Sequence, residues 1–241
     1  MNEQPAQALT GLVRLPFPDR RAAGRVLGAA LRRRFTGPDG TLTLDRPMVL
    51  ALPRGGVAVA YEVAGEFGVP LDVLVTRKIG HPAQPELGVG AIAEGGGQVA
   101  PVYDETLLRE LGISRDELAS VVERERAELA RRVEVYRAGR PSPDVAGRCV
   151  ILVDDGLATG ATARAALRAL RARDAARTVL AVPVGSPESV AALAAEADEM
   201  VVLATPRGFR AVGEWYASFG QLSDADVLHL LGQAAGGAHP G

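Results

Sequence analysis

Cysteine is almost missing: Cys149 is the only one in 241 residues, which excludes an internal disulfide framework. Its place in an apolar run marks it as a buried, inert thiol. Aromatic residues make up 4%, and no apolar run approaches the ~20 residues that a membrane-spanning helix needs. The first eight residues are polar and lack the basic and apolar regions of a secretory leader. A cytoplasmic location is therefore the expectation. A net charge of −2 supplies no general attraction for nucleic acid or an anionic membrane, so neither is expected as a partner. Lysine occurs once, Lys78, against 26 arginines. An ammonium on a flexible stem is not interchangeable with a guanidinium fork, so Lys78 marks either a site that needs that shape or a compositional accident.

What is present suits a globular α/β chain: 47% hydrophobic and 23% charged residues, with length for one good-sized core. The stretch 149–162 organises the rest. An apolar run, Cys149 to Val153, stops at Asp154 and Asp155, then passes Gly156, Leu157, Ala158, Thr159, Gly160, Ala161 and Thr162 into an Ala/Arg-rich segment. This reads as a buried parallel strand, a ligand loop and a helix start, placed at the strand edge where open α/β sheets bind ligands. Gly156 and Gly160 permit tight backbone paths whose amides converge on an anion, and Thr159 and Thr162 add hydroxyl donors. Asp154 and Asp155 can accept hydrogen bonds from paired sugar hydroxyls or hold Mg²⁺ through water. A phosphate at one end and a diol at the other point to a ribose 5-phosphate.

The pattern repeats earlier. Residues 48–52 form a short buried strand that ends at Pro53, Arg54, Gly55 and Gly56, and an apolar helix runs on to Phe67. The glycines would let amides approach an anion, and Arg54 offers bidentate contact to phosphate oxygens. The next strand, 71–76, delivers Arg77 and Lys78 to the same edge. Residues 79–90 carry prolines and glycines with too little periodicity for an element, which reads as a mobile loop. A hairpin follows, 89–93 with 98–103 about a glycine turn. Gly88-Val89-Gly90-Ala91-Ile92-Ala93 fits a dinucleotide fingerprint formally, but the glycines after Glu94 cannot open a helix, and no P-loop is present.

Outside this core, residues 18–35 read as an amphipathic first helix whose arginines are solvated. A capping box at Ser114 to Glu117 opens a long charged helix to Tyr136, whose stripe of Leu118, Val121, Val122, Leu129 and Val133 packs on the body or on a second subunit, so a homodimer is compatible with it. Helices at 161–173 and 187–197 alternate with strands at 178–184 and 199–204, as in a doubly wound, mostly parallel sheet. Phe209, Trp215, Tyr216 and Phe219 cluster past the last strand, either to stack on a ring substrate or as a hydrophobic plug. Residues 224–231 form a terminal helix. The organisation expected is one domain over 1–241, with a core at about 48–204 and an aromatic hood or cap at about 205–232.

Asp154-Asp155-x-x-x-Thr159-Gly160-x-Thr162 is expected by chance in on the order of one chain in ten thousand of this length. Together with its apolar run it resembles the phosphoribosyl-pyrophosphate (PRPP) motif of type I phosphoribosyltransferases, and Pro53-Arg54-Gly55-Gly56 resembles their pyrophosphate loop. The resemblance covers roughly residues 48–204. It implies transfer of ribose 5-phosphate from PRPP to a nitrogen acceptor, with PRPP as co-substrate, Mg²⁺ as cofactor and pyrophosphate released. Implied roles are catalytic for Arg54, Lys78, Asp154 and Asp155, with both aspartates also as metal ligands. Residues 154–162 would bind PRPP; Pro53, Arg54, Gly55, Gly56, Arg77 and Lys78 would bind pyrophosphate, with a cis peptide expected at Pro53–Arg54. Trp215, Tyr216 and Phe219 would meet the acceptor. Where hypoxanthine–guanine enzymes carry an acid before Thr-Gly this chain has Ala158, as adenine enzymes do, which disfavours a 6-oxopurine; Glu86 and Glu94 are the substitute base candidates. A PRPP-sensing regulator would keep the same loops but need a partner surface. A PRPP synthetase shares the central motif but needs a duplicated domain, and no internal repeat is evident.

Overall fold

A computed structural model describes residues 13–95 and 100–236. In chain order the elements are α1 (Arg20–Phe35), β1 (Met48–Ala51), α2 (Gly55–Phe67), β2 (Leu71–Val73), β3 (Thr76–His81), β4 (Gln84–Ala93), β5 (Val102–Tyr103), α3 (Glu105–Leu111) and α4 (Ala119–Arg137). Then come β6 (Cys149–Val153), α5 (Ala161–Arg171), β7 (Arg177–Val184), α6 (Pro187–Leu193), β8 (Glu199–Ala204), a 3₁₀ turn (Val212–Trp215) and α7 (Asp224–Ala235).

The expected doubly wound α/β architecture is present. Five parallel strands lie in the order β2-β1-β6-β7-β8. Their side chains alternate between two cores, as a period of two requires. Val49, Ala51, Ile151, Val153, Val179 and Ala181 join α1, α2 and α7 on one face. Leu50, Leu52, Val150, Leu152, Leu180 and Val182 join α5 and α6 on the other. Both faces of β1 and β6 are buried, which explains their unbroken apolar sequence. Full burial of each Val, Leu or Ile contributes about 1.5–3 kcal/mol, so the loops at the carboxyl edge are anchored on fully buried strands.

The segment after β2 departs from expectation. The strand 71–76 ends at Val73, and Arg77 and Lys78 belong instead to β3 of a separate antiparallel sheet, β3-β4-β5. Residues 79–90, read as an irregular loop, form a long hairpin whose turn is tied by His81 Nδ1 accepting the Ala83 and Gln84 N–H groups at 2.9 and 3.2 Å. One face carries Ile79, Val89 and Ile92 against α3 and α4. The other face carries Ala91 and Ala93, and glycines at 80, 88 and 90 interrupt both faces, so no apolar/polar alternation is visible in sequence. Space decides those glycines: a Cβ on Gly80 would sit 2.4 Å from Pro85 O, and one on Gly90 2.5 Å from Val102 O. Pairing of β4 with Val102 and Tyr103 matches the expected hairpin, whose turn at 96–99 lies outside the described residues.

Ala91 and Ala93 of the hairpin pack on Ala165 and Ala169 of α5, so the Ala-rich helix is clamped between sheet and hairpin at a separation only small side chains allow. The Ser114–Glu117 box forms, although the helix itself starts at Ala119. Its stripe packs on the chain's own body: Leu118, Val121 and Val122 meet the hairpin, and Leu129 and Val133 reach the main core. The helix expected over 187–197 stops at Leu193. Among the described residues no helix is long and apolar enough to cross a membrane.

Candidate functional site

Two strand-to-helix loops meet at the carboxyl edge because β1 and β6 are parallel neighbours, with Ala51 opposite Val153. After β1 the chain passes Pro53–Arg54, whose peptide bond is cis, and enters α2 at Gly55. After β6 it turns through Asp154 and Asp155. Leu52 N–H donates to Val153 O at 2.9 Å, joining the two turns. A Cβ on Gly55 would fall 1.9 Å from Asp155 Oδ2, and one on Gly56 would fall 2.8 Å from Val153 O and 3.1 Å from Asp154 Oδ1. The acidic pair thus occupies the space that side chains at 55 and 56 would need. Anion approach by both amides is corrected in one respect: Gly56 N–H is spent on Leu52 O at 3.1 Å.

The following loop is held from the end of β7. Leu157 N–H donates to Val184 O, and Ser186 N–H to Leu157 O, both at 2.9 Å. The Ser186 and Ser189 hydroxyls both donate to Ala158 O, at 3.1 and 2.5 Å. Ser186 was legible only as the cap of α6; its second bond, like that of Ser189, carries no sequence signal. Gly160 adopts φ +72° and N-caps α5 without a side-chain hydrogen bond, and Ala158 and Thr159 are exposed. The first amides of a helix have no intrahelical acceptor, so Thr159, Gly160, Ala161 and Thr162 surround a terminus suited to an anion.

Asp154 and Asp155 are both half-buried. Asp154 Oδ1 accepts the Asp155 N–H at 2.8 Å. Burial, and then the neighbouring Asp155 charge, push the Asp154 carboxyl well above its ordinary range. Burial also raises Asp155, but the Arg20 guanidinium opposes the rise. Among the described residues no cluster of three or more metal-ligating side chains occurs. Two adjacent carboxylates fit Mg²⁺, which uses one or two protein carboxylates and takes its other oxygens from water and substrate.

The cations divide. Arg77 faces away from these loops and binds Glu125 of α4 through Nε and NH2 at 2.9 and 2.7 Å, so its expected place beside a diphosphate is corrected. Lys78, one residue on, takes the opposite face, the one shared with Ala91 and packed towards α5, with its stem over Gly88. Arg54 lies 3.8 Å from Asp224 at the start of α7. Glu94 is buried against the Arg137 guanidinium, which removes it as a candidate base.

The aromatic cluster also divides. Tyr216 is buried, and its hydroxyl donates to Asp155 O at 2.5 Å; it supports the acid turn and is no stacking surface. Trp215 stacks on Phe209 at 6.2 Å. Phe219 is partly exposed and lies under the Arg20 guanidinium, 3.8 Å from its ring centroid. Tyr216→Phe keeps the ring but strands the Asp155 carbonyl, and a loss of about 1–2 kcal/mol is expected, read as a lower midpoint in denaturant titration at unchanged slope.

Helical periodicity expects Arg20 to be solvated, and the structure corrects this. Its Nε donates to Asp155 Oδ2 at 2.7 Å, with only 11% of its side chain exposed. Amphipathic periodicity could not reveal that contact, because it crosses 135 residues of sequence.

Comparison with known proteins accounts for the arrangement of these loops. The Phosphoribosyl transferase domain family model matches residues 29–205. Two Mycobacterium tuberculosis proteins, from strains H37Rv and CDC 1551 and provisionally named phosphoribosyl transferases, are each 45% identical over 218 residues, covering 90% of this chain and 47% of theirs. The chain therefore spans about half the length of the curated relatives it matches. The crystal structure of TT1426 from Thermus thermophilus is 45% identical, with a TM-score of 0.72 over 90% of this chain and 98% of that one. With the family model spanning most of its length, the chain belongs to the phosphoribosyl transferase domain family.

Proposed function

We propose that this chain transfers ribose 5-phosphate from PRPP to a nitrogen acceptor, a nucleobase or related ring, and releases pyrophosphate. The observation that carries the reading is the direct seating of Gly55 and Gly56 on Asp155 and Asp154, which joins a pyrophosphate loop to a ribose 5-phosphate loop at one sheet edge. In this reading the α5 terminus with Thr159, Gly160 and Thr162 binds the 5-phosphate. The Asp154 and Asp155 carboxylates accept from the ribose hydroxyls, and Arg54 and Lys78 offset charge on the departing diphosphate. Asp154 and Asp155 would hold Mg²⁺, which would supply further neutralisation of phosphate charge. No covalent nucleophile is required, because positioning and fixed charge lower the barrier. The β3–β4 hairpin beside α5 is suited to excluding water from an electron-poor ribosyl centre.

The test is pyrophosphate release from PRPP with Mg²⁺ across purines, pyrimidines, pyridine carboxylates and aromatic amines, with calorimetric titration of PRPP alongside. Acceptor-dependent release that disappears in Lys78→Ala supports the transferase. PRPP binding without release by any acceptor indicates a sensor, and no binding removes the reading.

A pH dependence follows from Asp154. Its carboxyl is raised above the ordinary 3.8, and accepting from a diol or binding a cation requires the ionised form. PRPP affinity in Mg²⁺ is therefore expected to rise with pH through the raised value and then level off, with proton release on binding at the lower end. Calorimetry in buffers of different ionisation enthalpy reads that release, and an affinity independent of pH from about 4.5 to 8 would contradict it.

A further inference from the structure

Asp155 is gripped by parts of the chain that the family model does not match. Its side chain is bonded to Arg20 at 2.7 Å and its carbonyl to the Tyr216 hydroxyl at 2.5 Å, and both partners lie outside residues 29–205. The two terminal segments that supply them are themselves joined. Phe17 N–H donates to Trp215 O at 2.8 Å, and Ala217 N–H donates to Phe17 O at 2.7 Å. Arg20 has three engagements at once: Nε to Asp155 Oδ2, NH1 to Gly220 O at 2.7 Å, and its face over the Phe219 ring at 3.8 Å. A planar, permanently charged fork can do all three, whereas an ammonium cannot.

We infer that Arg20 is a positioning residue for ribose binding: it fixes the Asp155 carboxylate in its ligand-accepting orientation and ties that orientation to the hood loop at Phe219 and Gly220. This rests on the transferase reading above. The geometric argument is direct. With Oδ2 held, the carboxylate plane is set and the remaining oxygen, Oδ1, has a defined place from which to accept from a ribose hydroxyl. Gly55 abuts the same contact, since a Cβ there would fall 1.9 Å from Oδ2 and 3.1 Å from Arg20 Nε, so its missing side chain leaves the room in which the pair sits. Without the guanidinium, the carboxylate is free to rotate beside a like-charged neighbour. Arg20 therefore acts on the sugar end of PRPP and not on the diphosphate end, which Arg54 and Lys78 serve.

The experiment compares wild type, Arg20→Ala and Arg20→Lys by calorimetric titration with Mg²⁺ and PRPP, ribose 5-phosphate or pyrophosphate, with thermal unfolding recorded for each. Loss of a partner that orients a ligating carboxylate typically weakens binding roughly tenfold to a hundredfold. That loss is expected in Arg20→Ala for PRPP and ribose 5-phosphate, with pyrophosphate affinity unchanged. Added ethylguanidinium is expected to recover several-fold affinity in Arg20→Ala and to leave wild type unaffected. Arg20→Lys is expected to fall between the two and keeps the test open if the alanine variant does not fold. Equal weakening of ribose 5-phosphate and pyrophosphate without rescue would make Arg20 a merely structural residue and overturn the inference. Unchanged PRPP affinity in both variants would overturn it while leaving the transferase reading intact. Failure of wild type to bind PRPP would remove both.

Discussion

Asp154→Asn is expected to weaken PRPP binding by about a hundredfold or more while making the unliganded protein more stable at neutral pH. The two effects share one cause. Asp154 is half-buried beside a second carboxyl, and its pKa is raised by burial first and by Asp155 next. An aspartate raised in the folded state contributes stability below its unfolded value, and that contribution is lost as pH rises through the folded value. At neutral pH the native protein therefore carries an unfavourable charge that asparagine lacks. Asparagine also retains an oxygen to accept the Asp155 N–H, which Asp154 Oδ1 accepts at 2.8 Å, so the turn survives. A gain of about 0.5–2 kcal/mol is expected, read by thermal unfolding at about pH 7.5, shrinking as pH falls through the raised folded-state value and absent below about 4. The loss of binding follows because an amide neither attracts Mg²⁺ as a carboxylate does nor accepts hydroxyl protons with a full charge. A variant that is less stable at neutral pH, or that binds PRPP like wild type, would contradict the role assigned to this acid.

Alanine at Gly55 and at Gly56 is expected to impair turnover strongly by two different routes. At Gly56 the new Cβ would meet backbone, 2.8 Å from Val153 O and 3.0 Å from Asp154 Cα. Neither can move without parting β1 from β6, so overpacking of about 1–3 kcal/mol is added to a displaced acid turn. At Gly55 the nearest atoms belong to a side chain, Asp155 Oδ2 at 1.9 Å and Cγ at 2.6 Å. The carboxylate can swing aside, and it leaves Arg20 when it does. Gly55→Ala is therefore expected to keep most of its stability and still lose about a hundredfold in kcat/KM, the usual effect of displacing a positioned group by about an ångström. Gly68 supplies the contrast. It caps α2 at φ +63° with nothing within 4 Å of a Cβ, so Gly68→Ala is expected to cost about 1 kcal/mol and to leave turnover alone. Unfolding midpoints and steady-state rates for the three variants separate these outcomes, and equal behaviour of Gly55→Ala and Gly68→Ala would refute the seating argument.

The strand, acid turn and helix at 149–171 were legible because their signal is local: five apolar residues, two acids, then glycines before an Ala-rich period. The cis bond at Pro53–Arg54 came only from family resemblance and is present. The β3–β4 hairpin is hidden in the sequence because both of its faces are apolar or glycine, Ile79, Val89 and Ile92 on one and Ala91 and Ala93 on the other, so no apolar/polar alternation is there to read. The sequence order places Arg77 and Lys78 together at one edge, yet adjacent strand residues point to opposite faces, and β3 separates them. Arg20 looked like its neighbours on α1 because nothing local distinguishes a guanidinium that meets water from one that meets Asp155.

By itself, then, the sequence determined which segments would be buried parallel strands and which loops between them carry acids, glycines and threonines, since burial and backbone freedom are properties of neighbouring residues. Tertiary structure alone decided which groups converge on Asp155, where Arg77 spends its charge and which aromatic ring supports the acid turn. Those outcomes depend on contacts between segments far apart in the chain, and no short-range pattern encodes the direction in which a long side chain will find its partner.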